Sequence, residues 1–249
     1  MLTIFAYSFL LKCRYLTFAK LKKGENRQTF MNYLTVPYWF VGYNVMLEIL
    51  FSAVAFLVGA YALKIYKISG QRQSKLFGIS FLMIAASYFI QSALNFASGY
   101  SMSQGCNMQS MSSMYYLNTL GIYSHMILFT TGLVTLAYMA LRIKDPKAYF
   151  LFVAIAIGTL LISSNKLHFF YVISSILLIY LSFFYLKNYL QGRKKNALIV
   201  FIGFLFLLFA KIHFIFSIDH SIFYVAGHML EFVAYVLILM NLITVLRKK

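Results

Sequence analysis

His228 and Glu231 stand three residues apart in the last apolar stretch, Ile222 to Leu246, and on a helix that spacing puts an imidazole and a carboxylate on one face. Such a pair can hold a proton, accept a ligand's hydrogen bonds, or offer nitrogen and oxygen to a divalent metal. Side chains of similar chemistry recur in earlier apolar stretches: Glu48, Gln91, Asn95, His125, Lys211 and His213. An ionisable group inside an apolar helix is costly to keep, so these residues are read together as a candidate ligand-binding pocket.

The elements that must position them are membrane helices. Of 249 residues, 62% are hydrophobic and 11% charged, less than half the charged share of a soluble domain. The fold class expected is all-α, a polytopic integral membrane protein of seven helices. Its spans are Val41 to Leu63, Leu76 to Ala97, Thr119 to Leu141, Tyr149 to Ser163, Leu167 to Leu186, Ala197 to Ile218, and Ile222 to Leu246. The fourth is the shortest, and Ser163-Ser164-Asn165-Lys166 turns it into the fifth as a helical hairpin.

The net charge of +17 is not spread evenly. Lys64, Lys67, Arg72 and Lys75 flank the first connection, Arg142, Lys144 and Lys147 the third, Lys187, Arg193, Lys194 and Lys195 the fifth, and Arg247, Lys248 and Lys249 the end. The second, fourth and sixth connections carry Lys166 alone. With seven spans, positive charge on the inner side puts the C-terminus in the cytoplasm and the start of the first helix outside. Basic residues grouped at span ends point to anionic lipid, not to nucleic acid, and the expected location is the cell membrane.

Residues 1–30 fit this scheme poorly. Lys12, Arg14, Lys20, Lys22, Lys23 and Arg27 would lie outside, so the sequence favours Met31 as the start, with an interfacial or re-entrant leader as the alternative. The expected organisation is a basic leader over 1–30, then a bundle over 31–249. Pro37, Tyr38 and Trp39 would anchor its first helix at the interface.

Orientation gives depth. At a helical rise of about 1.5 Å per residue, nearly every ionisable side chain within the spans falls about 7 to 14 Å below the outer surface, His168 lying at the outer end of its span. The inner halves are almost purely aliphatic and aromatic. A shared depth calls for a shared cause, and a pocket in the outer leaflet half supplies one. Its expected minimum is Lys211 paired with Glu231 or Glu48, with His228 and His125 in the network. Taken singly, each such residue has an ordinary explanation as a hydrogen bond between helices.

The stretch Tyr224-Val225-Ala226-Gly227-His228-Met229-Leu230-Glu231, with Tyr235 a turn later, resembles the closing helix of seven-helix membrane input domains that precede prokaryotic histidine kinases and nucleotide cyclases. The resemblance covers this helix and the span count. It implies a receptor-like sensor that would signal through a separate cytoplasmic partner docked on the basic connections. The Phe-, Tyr- and Ile-rich makeup also resembles that of small archaeal membrane proteins.

Two alternatives come from the residues themselves. His125, His213, His228 and Glu231 could ligate a divalent metal, or two of the histidines a haem, although no HExxH or CxxCH is present. A structural subunit of a larger membrane complex is the other, and it would turn Glu48, Lys211 and Glu231 toward a partner chain. In the second connection, Met102, Cys106, Met108, Met111 and Met114 have the softness and spacing of a Cu(I)-binding tract, a composition that flexible connections share. Cys13 and Cys106 suggest no disulfide framework. No lysine in the last span could form a retinal Schiff base, and Gly and Pro breakers of a transporter are scarce. Enzymatic activity is not indicated.

Overall fold

Each apolar stretch forms a helix in the computed structural model, which describes residues 40–103, 108–143, 145–192, 195–217 and 220–247. The helices are α1 (Val41–Ser69), α2 (Arg72–Ser103), α3 (Met108–Leu141), α4 (Pro146–Ile162), α5 (Lys166–Gly192), α6 (Lys195–Phe216) and α7 (Ser221–Arg247). They exceed the apolar stretches at both ends of the bundle: α1 continues six residues past Leu63 and α5 six past Leu186, while α2 continues six past Ala97 and α3 begins eleven before Thr119. Once a helix is nucleated, interfacial residues extend it cheaply, whatever their polarity. All but α4 are long and apolar enough to cross a membrane, so the chain is a multi-pass membrane protein.

The turns are made by local chemistry. Gly70 ends α1 in the left-handed region, at φ 66°, and its N–H reaches the Tyr66 carbonyl at 2.8 Å. Asp145 caps α4 by accepting from the Lys147 N–H at 2.9 Å, and Pro146 occupies the first helical position. Asn165 caps α5 through the His168 N–H at 3.2 Å.

Six helices form a closed ring in the order α1, α2, α3, α5, α6, α7, with α7 returning to pack on α1. The seventh, α4, lies outside the ring against α3 and α5. Its one buried side chain is Leu160, whereas Phe150, Leu151, Ile155, Leu161 and Ile162 are exposed. Helices apolar on every side suit lipid, where the outward face needs no polar residues. Side-chain contacts fix the directions: Tyr149 of α4 packs on Tyr138 near the end of α3, whereas Phe170 of early α5 packs on His125 and Phe129. The 17 residues of α4 rise about 25 Å, enough to return from one level to the other.

At the end of the bundle where α2 starts, Arg72 Nη2 donates to the Tyr138 hydroxyl at 2.9 Å, and that hydroxyl donates to the Asp145 carbonyl at 3.0 Å. This chain of bonds ties the start of α2 to the connection between α3 and α4. Ser52 of α1 donates to the Ala85 carbonyl of α2 at 2.9 Å, while Ser87 and Thr135 bond back within their own helices. The core between them is aromatic and aliphatic, including Phe51, Phe129, Leu136, Leu178, Phe204 and Tyr235.

Candidate functional site

At the level of Tyr88 the core contains an ion pair. Lys211 on α6 donates to Glu231 Oε1 on α7 at 2.6 Å, and the two side chains are 2% and 1% exposed. Tyr88 of α2 donates to the same oxygen at 3.0 Å. His228, one turn before Glu231, puts Nδ1 3.3 Å from Oε2, off the line of a hydrogen bond. Glu231 therefore joins α2, α6 and α7 through a single carboxylate.

Around the pair stands an aromatic wall. The Lys211 ammonium lies 4.4 Å from the Phe129 ring centre, 5.1 Å from Phe214 and 5.8 Å from Phe170. Ring faces carry partial negative charge, so they replace some of the hydration that the cation gives up. Phe214 reaches its place because residue 227 is glycine: a Cβ there would come within 2.6 Å of the ring. Phe51 and Tyr235 stack at 4.8 Å on the other side, with Tyr88 edge-on to both. Low dielectric strengthens the attraction between the charges, and the hydrogen bond from Tyr88 helps to offset their desolvation.

Glu48 belongs to a second group, on α1. The Asn44 amide donates to its Oε1 at 2.9 Å, and the Asn95 amide of α2 donates to Oε1 and Oε2 at 3.1 and 3.0 Å. Tyr224 of α7 donates to Asn44 Oδ1 at 3.1 Å. Of the two acids considered for Lys211, the structure pairs it with Glu231, and amides surround Glu48 instead.

The remaining sequence-derived residues are placed differently. His125 is buried among Tyr88, Phe129 and Phe170, with ring centres 4.9, 5.3 and 5.7 Å away, and its Nδ1 has no hydrogen-bond partner. His213 bonds through Nδ1 to the Phe209 carbonyl at 2.8 Å and rests on Phe223, away from the ion pair. Gln91 is half-buried on α2. Among the described residues no three His, Cys, Asp or Glu side chains come together as a metal ion would require. Glu48, Lys211 and Glu231 all face the bundle interior, not an outer surface where a partner chain would meet them.

Cys13, Cys106, Asp219 and the leader with Pro37, Tyr38 and Trp39 lie outside the described residues. Met102 lies in the last turn of α2 and Met108, Met111 and Met114 in the first turns of α3, so most of the sulfur-bearing connection is helical, and the side chains of these methionines lie outside the described part.

Sequence reasoning missed Tyr88 and Asn44, and it named Tyr224 only within the stretch that resembles sensor input domains, without its bond to Asn44. Asn44 carried a usable signal, since it precedes Glu48 by one helical turn. Tyr88 carried little, being one of 20 tyrosines. A groove of about 490 Å³ lies elsewhere, between α1 and α7, lined by Leu57, Ala60, Tyr61, Lys64, Leu239, Leu242 and Ile243. No protein-family model matches this sequence, and no curated protein or solved structure matches it either.

Proposed function

We propose that this protein is a receptor-like sensor of the cell membrane, with the Glu231 cluster as its responsive element. The observation that carries the reading is the burial of Lys211 and Glu231 as a pair among α2, α6 and α7. A buried ion pair adds little net stability over an apolar core of the same shape, so its presence asks for another purpose. A small ligand bearing a charged or hydrogen-bonding group would compete for one partner of the pair. Release of Lys211 from Glu231 would loosen α6 against α7, two antiparallel helices that run on to the basic end.

The basic ends are assigned to the cytoplasm, with α4 as a seventh crossing and the polar layer in the outer leaflet half. A separate output protein would dock on the basic connections. The resemblance of the α7 stretch around Gly227-His228 to sensor input domains agrees with this reading.

One observation favours a second reading, a metal- or haem-binding protein: Nδ1 of both His125 and His228 is buried without a hydrogen-bond partner. One experiment separates the two. Wild type and Glu231→Leu are purified in lipid nanodiscs and compared by elemental analysis, optical spectrum and mass spectrometry of an organic extract. The sensor reading expects a small organic molecule retained by wild type and lost in the variant. Stoichiometric metal or a haem band would replace it with the second reading, and identical extracts without metal would overturn both.

A further inference from the structure

The groove between α1 and α7 lies toward the basic ends of both helices. Ile243 on one wall stands four residues before Arg247, and Lys64 on the other stands six before Gly70. Leu57, Ala60, Tyr61 and Lys64 follow the spacing i, i+3, i+4, i+7, which keeps them on one face of α1, and Lys67 continues that face by another turn. Over about 15 Å the face passes from apolar, through a tyrosine, to cationic. Across from it Leu239, Leu242 and Ile243 form an apolar wall. Lys64 and Lys67 are exposed, and none of the described acids, Glu48, Asp145 and Glu231, pairs with either. The Tyr61 hydroxyl is buried without a hydrogen-bond partner.

We propose that this groove is a site for an anionic phospholipid, one acyl chain lying between α1 and α7 and the phosphate resting on Lys64. The groups along the groove follow the order of those along the lipid. Leu57, Leu239 and Leu242 meet the chain, Tyr61 stands at the level of the ester, whose carbonyl can accept from its hydroxyl, and Lys64 and Lys67 meet the phosphate. A lipid tail gains no hydrophobic free energy by leaving other tails for an apolar groove, so shape alone selects no particular lipid. Charge does: a headgroup of net negative charge supplies the counterion that Lys64 lacks, whereas a zwitterionic one brings its own cation beside the phosphate. A free anion would leave the apolar walls unused. α7 packs less extensively on α1 than on α6, and a lipid seated here would bridge the looser interface. None of the residues of the Glu231 cluster lines the groove.

The test is native mass spectrometry of the full chain in detergent, titrated with phosphatidylglycerol or with phosphatidylcholine of the same acyl chains. Wild type is expected to retain one phosphatidylglycerol at least fivefold more tightly than phosphatidylcholine. Lys64→Gln should lower the affinity for phosphatidylglycerol about fivefold and leave phosphatidylcholine unchanged. Lys187→Gln, on α5 near the same end of the bundle, should alter neither. Ala60→Phe fills the groove with a ring and should weaken both lipids tenfold or more. Should that variant fail to fold, the comparison of Lys64→Gln with Lys187→Gln decides. Equal affinity of wild type for the two lipids would overturn the proposal, as would equal losses in the two lysine variants or full binding in Ala60→Phe.

Discussion

Lys211 and Glu231 meet at 2.6 Å across the interface of α6 and α7, twenty residues apart in sequence and almost wholly removed from solvent. Attraction within a pair so enclosed is strong, but so is the cost of leaving either charge alone. Replacing Lys211 by Met is therefore expected to destabilise the bundle by roughly 3 to 5 kcal/mol. The double replacement Lys211→Met with Glu231→Leu should recover most of that loss. Unfolding in mixed micelles, analysed as a double-mutant cycle, measures both quantities. A near-zero coupling energy would mean that the two side chains do not meet.

The Tyr88 hydroxyl can be removed without disturbing its ring. Tyr88→Phe keeps the edge contacts to Phe51, Phe129 and Tyr235 and loses the bond to Glu231 Oε1. Hydrogen bonds between membrane helices range from about 0.6 to 2 kcal/mol, and a charged acceptor places this one toward the upper end. Equilibrium unfolding of the single variant checks the size. Coupling should also vanish when Tyr88→Phe is placed in the Glu231→Leu background.

Much of this arrangement was legible in the sequence, for reasons that differ by feature. Helix starts such as Val41 and Lys166 were read closely because apolar runs begin abruptly there, whereas the start of α3 and the ends of α1 and α5 were read short because those helices continue through polar residues. The i,i+3 spacing of His228 and Glu231 needs only local geometry, so the two could be placed on one face. The partner of Lys211 could not be chosen between Glu48 and Glu231, because that choice depends on which helices adjoin. In the structure α6 packs on α7, and Asn44 and Asn95 occupy Glu48. The exclusion of α4 from the ring was hidden too: hydrophobic on every side, it gives no periodic signal of which face is buried.

Gly227 allows Phe214 to lie over α7 and close the aromatic wall beside Lys211. A methyl group at this position meets the ring edge at 2.6 Å, so Gly227→Ala should cost about 1 to 3 kcal/mol through overpacking. The smaller and more flexible side chain in Phe214→Leu should relieve the clash, making the double variant more stable than Gly227→Ala alone. Thermal unfolding of the three variants in detergent provides the comparison. Additive losses would show that the Phe214 ring is not what Gly227 accommodates.

The connection from α4 to α5 and the start of α2 lie at opposite ends of the bundle, and the orientation proposed from charge puts the first outside. Ser164 and Gln73 are exposed at these two ends. In a background with Cys13 and Cys106 replaced by Ser, a cysteine at Ser164 should react in intact cells with a membrane-impermeant maleimide. One at Gln73 should react only after the membrane is opened. The pair of sites also tests α4: if this helix lies in the interface without crossing, α3 and α5 cannot both retain their directions, and residues 73 and 164 would label from the same side. Reaction at Gln73 alone in intact cells would invert the assigned orientation and put the Glu231 cluster in the cytoplasmic half, where a ligand would have to arrive from within.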